Sequence, residues 1–140
     1  MTTAVVVDAA VALKWVVTEP GSEQAGALLT AMAEGALSLV APEHLVGEIS
    51  NGLRKRVAQH ALSADDALSA LDAVASLDLE FIGGAERWCR SLSAALKWGV
   101  TTCDALYMLL AIDLHAELIT ADRRLVDAAA SRDLPVHALT

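Results

Sequence analysis

Asp8, Glu48, Asp104 and Asp122 are the carboxylates that this sequence sets where strands should end and helices begin. Asp8 follows the β-branched run Ala4 to Val7 and Asp122 follows Leu118 to Thr120, so each is expected beyond the carboxyl end of a buried strand. Asp104 falls in the first turn of an apolar helix, where the helix dipole favours negative charge, and Glu48 borders the apolar stripe of another helix. Ligands of open parallel sheets bind beyond the carboxyl ends of the strands, so four acids from four elements can converge on one cleft. Gathered there, they repel one another at neutral pH unless some protonate or a cation neutralises them. A cation is the simpler answer. All-oxygen donors suit Mg²⁺ or Mn²⁺, and no His or Cys residues are spaced to select zinc or copper. Such an ion lowers the pKa of a bound water and stabilises charge developing on a phosphoryl oxygen, which is the chemistry of phosphodiester hydrolysis.

Each acid also has a structural reading. Asp8 and Asp122 can cap the helices that follow them, Asp104 can serve the dipole alone, and Glu48 can be a surface residue beside Lys55. With 18 acidic residues to choose among, spacing alone leaves both readings open. The formal charge of −8 argues against a nucleic-acid binder, because phosphate contacts call for basic surface. Its distribution argues the other way: Lys14 lies within two turns of Asp8, Arg54, Lys55 and Arg56 follow Glu48, and Arg123 and Arg124 follow Asp122. Lys14, Arg54, Lys55, Arg123 and Arg124 are therefore candidate nucleic-acid contacts, the alternative being that they are solvated helix faces, as most charge clusters are.

The elements that must position these residues alternate. Strands are expected at Ala4 to Val7, Leu37 to Ala41, Leu79 to Ile82, Leu118 to Thr120 and Leu134 to Ala138. Between them the sequence predicts a helix from Ala9 to Val17, one from Ser22 to about Gly35, and a long one opening at Pro42 with Leu45, Ile49, Leu53 and Val57 as its stripe. Ser63 and Asp66 resemble a capping box for a helix to about Leu77, which makes Asp65 and Asp66 structural. Gly83 and Gly84 lead into a helix carrying Trp88, Leu92, Ala95 and Leu96 that Gly99 ends. Val100 to Thr102 caps a helix apolar nearly all round to Leu114, and a last helix runs from Arg123 to about Ser131. Strands and helices of these lengths imply a single α/β domain over residues 1–140, a three-layer α/β/α sandwich around a central, mainly parallel five-stranded sheet with right-handed crossovers.

A hydrophobic share of 55% with only 4% aromatic residues predicts a core of Ala, Val and Leu and excludes disorder. The longest apolar run, Ala105 to Ile112, is far short of the roughly 20 residues that span a bilayer. With no basic region ahead of an apolar stretch at the N-terminus, a soluble cytoplasmic protein is expected. Cys89 and Cys103 read as small buried hydrophobes. His44, His60, His115 and His137 share no motif and are expected at the surface or satisfied in the core. Trp15, Trp88 and Trp98 suit core packing or a dimer contact more than base stacking.

The stretch VVDAAVALKW around Asp8, the E-x-x-N unit of Glu48 and Asn51, TTCDALY around Asp104 and LITADRRL around Asp122 resemble the PIN domain, in particular the VapC-type toxins of toxin–antitoxin pairs. The likeness spans nearly the whole chain, with the four pieces in order. It implies that Asp8, Glu48, Asp104 and Asp122 form the acidic tetrad holding Mg²⁺ or Mn²⁺, with Asp8 and Asp104 as direct ligands. Glu48 and Asp122 would complete a second metal site or position the attacking water. Thr120 and Asn51 match polar positions that support the ligands. The resemblance also implies a homodimer that cuts RNA and a cognate antitoxin whose tail occupies the acidic cleft. Cys103 departs from the pattern, since the family often has a tyrosine just before the third acid.

Two rival functions find less support. A phosphotransfer or signalling domain on a similar sheet would pair acids ahead of the first strand's aspartate or place D-x-D after that strand, and neither is present. A catalytically silent RNA- or protein-binding module would not need the four acids. Dinucleotide or ATP use lacks both G-x-G-x-x-G and G-K-[ST].

Overall fold

In the computed structural model, which describes residues 2–139, five strands form one sheet in the order β3-β2-β1-β4-β5, every neighbouring pair parallel. The strands are β1 (Thr3–Val7), β2 (Leu37–Pro42), β3 (Glu80–Ile82), β4 (Glu117–Thr120) and β5 (Val136–Ala138). The helices are α1 (Ala9–Val16), α2 (Ser22–Ala33), α3 (Leu45–Ala58), α4 (Ala64–Ala75), α5 (Ala85–Trp98), α6 (Thr102–Leu114) and α7 (Arg123–Ala130). The expected α/β sandwich with a parallel five-stranded sheet is the architecture observed.

The order follows from burial. Val5, Val6 and Val7 of β1, Leu39 and Val40 of β2, and Leu118 and Ile119 of β4 are all buried, which requires helices on both faces of the central strands. On one side α1 packs against α2, α3 and α4; α6 runs along β1, β2 and β4 and packs against α5. α6 carries Ala105, Leu106, Tyr107, Met108, Leu110 and Ala111 into the core. Such burial is worth about 1.5–3 kcal/mol for each large side chain. No helix among the described residues is long and apolar enough to cross a membrane.

The order in which strands are added reverses at β1. From β1 the chain builds outward to β2 and β3, then returns to place β4 on the other side of β1. The carboxyl ends of β1 and β4 therefore diverge into a crevice, the usual ligand position in an open parallel sheet. In register, Val7 lies beside Ile119, so Asp8 and Thr120 leave the sheet side by side.

Three details differ from the sequence reading. Pro42 does not open a helix: it closes β2, opposite Ile82, and α3 begins at Leu45. Pro has no N–H to give, and a strand's last residue can spare it; the next N–H, that of Glu43, completes the ladder to the Ile82 carbonyl at 3.0 Å. Cys89 is exposed and Cys103 half-buried, so neither is a core hydrophobe. The α5 stripe also splits: Ala95 is buried, whereas Leu92 and Leu96 are 52% and 78% exposed. Trp15, by contrast, packs against the core and ties α1 to α2 by donating its ring N–H to the Ala25 carbonyl.

Candidate active site

Asp8 is held by the end of β1 and the start of α1 together. As N-cap of α1 it accepts the Val11 N–H on Oδ1 at 3.0 Å, while the Thr120 hydroxyl donates to Oδ2. Thr120 is fully buried at the end of β4 and its oxygen also accepts the Asp122 N–H at 2.9 Å. One hydroxyl thus fixes the carboxylate at the tip of β1 to the backbone at the tip of β4. Burial is the main reason the Asp8 carboxyl is pushed up to about 6. The Thr120 and Val11 bonds oppose that rise, and the charges of Asp122 and Glu48 add to it.

Asp122 caps α7 by accepting the Arg124 N–H at 2.9 Å, and the Arg124 guanidinium lies 3.5 Å from its other oxygen. Asp104 stands in the first turn of α6, its own N–H given to the capping Thr101 hydroxyl. Burial raises its carboxyl above the ordinary range, as do the charges of Asp122 and Glu48. Glu48 reaches in from α3 and accepts the buried Tyr107 hydroxyl of α6 at 2.7 Å. Burial works to raise it, but that bond and the nearby His44 imidazole hold it below the usual carboxylate range. The structural and chemical readings of these acids are therefore not exclusive, since Asp8 and Asp122 cap helices and still face one another's charge.

Asp122 and Glu48 raise both Asp8 and Asp104 by their charge, yet the four acids do not close into a tight trio. Among the described residues, three donor atoms come within 4.8 Å of one another only at His44, Glu48 and Cys103. No spacing of His or Cys in the sequence selects zinc or copper, and this trio is assembled only by the fold. The His44 side chain is only 11% exposed, and Nε2 lies 3.0 Å from Glu48 Oε1 without its N–H aimed along that line; neither ring nitrogen has a hydrogen-bond partner. Sequence reasoning missed the cluster because Cys103 comes from another helix, although the i, i+4 spacing of His44 and Glu48 was a signal.

The basic candidates divide. Arg123 and Arg124 are exposed on α7 and Arg54 and Lys55 on α3, whereas Lys14 is largely buried and paired to Glu19 at 3.2 Å, with Arg56 on the same carboxylate at 3.1 Å. Asn51 is exposed on α3. A cleft of 610 Å³ opens beside Asp104, with Arg124, Arg132 and Trp98 in its wall. Arg132 was not anticipated. Its guanidinium lies 5.6 Å over the Trp98 ring and donates to the Trp98 carbonyl at 2.9 Å, which aims a fixed positive charge along the cleft.

The PIN domain family model matches residues 5–131, which takes in all four acids. The chain belongs to the PIN domain family. Solved structures agree in fold. This PIN domain is similar to PAE2754 from Pyrobaculum aerophilum, with 21% identity, a TM-score of 0.69, and 91% of this chain and 87% of the other covered. It is also similar to VapBC2 from Rickettsia felis, solved bound to a DNA fragment from their promoter, with 16% identity, a TM-score of 0.68, and 99% and 100% of the two chains covered. VapBC-1 from nontypeable Haemophilus influenzae follows at 14% identity and a TM-score of 0.59, with 98% of each chain covered. No curated protein matches the sequence. PIN domains are typically nucleases, and the neighbours named as VapBC are toxin–antitoxin proteins.

Proposed function

We propose that this PIN domain is the toxin of a VapBC-type pair, a cytoplasmic Mg²⁺- or Mn²⁺-dependent ribonuclease that hydrolyses RNA phosphodiester bonds through Asp8, Glu48, Asp104 and Asp122. The observation that carries the reading is the state of Asp8: a buried carboxylate at the β1–β4 switch point, pushed up by burial and further by Asp122 and Glu48. Negative charge concentrated where the fold brings ligands is tolerable with a hard cation present, and the oxygen-only acids match Mg²⁺ or Mn²⁺. The donor set therefore fits the ion that the family uses.

Asp8 and Asp104 would hold the ion, with Glu48 and Asp122 completing its surroundings or orienting the attacking water. The bound ion supplies a water of lowered pKa and neutralises charge on the phosphoryl oxygens. Thr120 holds Asp8 in one rotamer and keeps Asp122 in register with it. Tyr107 does the same for Glu48. Arg124 and Arg132, in the wall of the cleft beside Asp104, would take phosphates of the strand; Arg123 on α7 and Arg54 and Lys55 on α3 are further exposed basic candidates outside that wall. A homodimer and a cognate antitoxin belong to this reading; the exposed apolar residues Leu92 and Leu96 of α5 and Leu68 of α4 support the need for protein partners.

The test is the chemistry of the cut ends. Purified protein with Mg²⁺ is expected to leave 5′-phosphate and 3′-hydroxyl ends, and Asp104→Asn is expected to abolish cleavage while keeping the far-UV spectrum of the wild type. Products with 2′,3′-cyclic phosphate would overturn the mechanism, because they require the ribose hydroxyl as nucleophile.

A further inference from the structure

We propose that His44, Glu48 and Cys103 form a second cation site, for a borderline divalent ion of the zinc class, which shares Glu48 with the acidic crevice. The imidazole nitrogen, the carboxylate oxygen and the thiol sulfur already lie within 4.8 Å of one another. Bonds of about 2.0–2.3 Å in a tetrahedral site set ligand atoms roughly 3.3–3.8 Å apart, so closing this trio asks for shifts on the order of 1 Å. Nitrogen, sulfur and oxygen donors together favour such an ion over Mg²⁺ or Mn²⁺, which take oxygen alone.

The independent observation is His44. Both of its ring nitrogens are buried and neither makes a well-aligned hydrogen bond: Nδ1 faces no partner, and Nε2 lies 3.0 Å from Glu48 Oε1, a contact that an ion could bridge. Its ring is not free to turn outward, being packed between Trp88 at 5.3 Å and Tyr107 at 5.0 Å. An ion on the nitrogen that faces Glu48 relieves one orphan. The Tyr107 hydroxyl, 2.7 Å from Glu48 Oε1, fixes that carboxylate as outer hydrogen bonds fix metal ligands elsewhere. The thiol proton of Cys103 passes to solvent as the S–metal bond forms, leaving two anionic ligands and one neutral one around a dication. Three protein ligands leave a fourth position for water, and Asp104 is the next residue after Cys103 in α6. Occupancy draws Glu48 away from the other acids, so a zinc-class ion should suppress Mg²⁺-supported cleavage; this clause alone rests on the proposed nuclease function.

Cobalt(II) chloride is the probe, added to the full chain in a Cys89→Ser background so that Cys103 is the one thiol. The expected result is one thiolate-bound ion per chain, seen as a thiolate-to-cobalt absorption band in the near ultraviolet with tetrahedral bands in the visible, both displaced by zinc chloride; cobalt held by oxygen ligands in the acidic crevice gives no such ultraviolet band. Cys103→Ser should lose the ultraviolet band, and both it and His44→Ala should bind at least about tenfold more weakly, a loss that even outer-sphere changes reach. Zinc should raise the Tm of the parent and not of Cys103→Ser, and should inhibit cleavage by the parent at concentrations that spare Cys103→Ser. Absence of the thiolate band, or equal affinity in parent and both variants, overturns the site. A band lost with Cys103 upholds it even in a protein that cuts no RNA, so the two proposals fail separately.

Discussion

Replacing Asp8 by Asn should make the metal-free protein more stable at neutral pH, although it removes a carboxylate that makes two hydrogen bonds. Folding lifts this carboxyl from 3.8 to about 6, mainly by burial. A difference of about 2 pKa units, at about 1.4 kcal/mol each, means that keeping Asp8 ionised costs the fold roughly 3 kcal/mol. The direction with pH follows from the raised value. Below the unfolded pKa both states are protonated and there is no cost. Between 3.8 and about 6 the unfolded chain has lost its proton and the folded chain has not, so stability falls as pH rises, and above 6 the full cost is present. Asn keeps the acceptor for Val11 but must donate toward Thr120, which offsets about 1 kcal/mol. The expected net gain is therefore about 2 kcal/mol at pH 7.5, shrinking to zero or reversing by pH 4. Urea unfolding of both proteins in EDTA across that range measures it, and Mg²⁺ should stabilise only the wild type. An Asp8→Asn protein no more stable than wild type at pH 7.5, with a difference that does not vary with pH, would refute the claim that Asp8 is held ionised at a cost.

Thr120→Val leaves the Asp8 oxygen and the Asp122 N–H without their shared partner; a loss of about 1–3 kcal/mol is expected from urea midpoints. Because that hydroxyl holds the Asp8 carboxyl down, the acid limb of the cleavage profile should also move to higher pH. Arg132→Ala should raise KM for RNA with little change in kcat and reduce the log–log salt slope of binding by about 0.7, the share of one single-strand phosphate contact. Leu118→Ala, at a fully buried position of β4, should cost about 2–5 kcal/mol in denaturant titration.

Much of the fold is legible because its signals are local. Thr101 and Ser63 cap α6 and α4 as their side chains suggest, each accepting the N–H three residues on, and Gly99 ends α5 in the left-handed region at φ 69°. The positions of Asp8 and Asp122 follow from strands that end in a polar residue. What local pattern does not carry is packing between helices. Leu92 and Leu96 continue a helical period, but period says nothing about whether another element covers that face. Pro42 satisfies a helix start and a strand end equally, and only the pairing of β2 with β3 decides. Lys14 looked like part of a basic rim until Glu19 and Arg56 folded against it. His44 and Glu48 stand 59 and 55 residues before Cys103 and meet it only in the folded chain.

The bond from Thr120 to Asp8 spans 112 residues of a 140-residue chain. Its acceptor leaves β1 and its donor ends β4, so the carboxylate is clamped only where those two strands have paired. A chain stopped short of β4 has neither the crevice nor the clamp on its first acid. Local opening of either strand therefore frees the buried carboxylate, so amide exchange at the ends of β1 and β4 reports on the site as well as on the sheet.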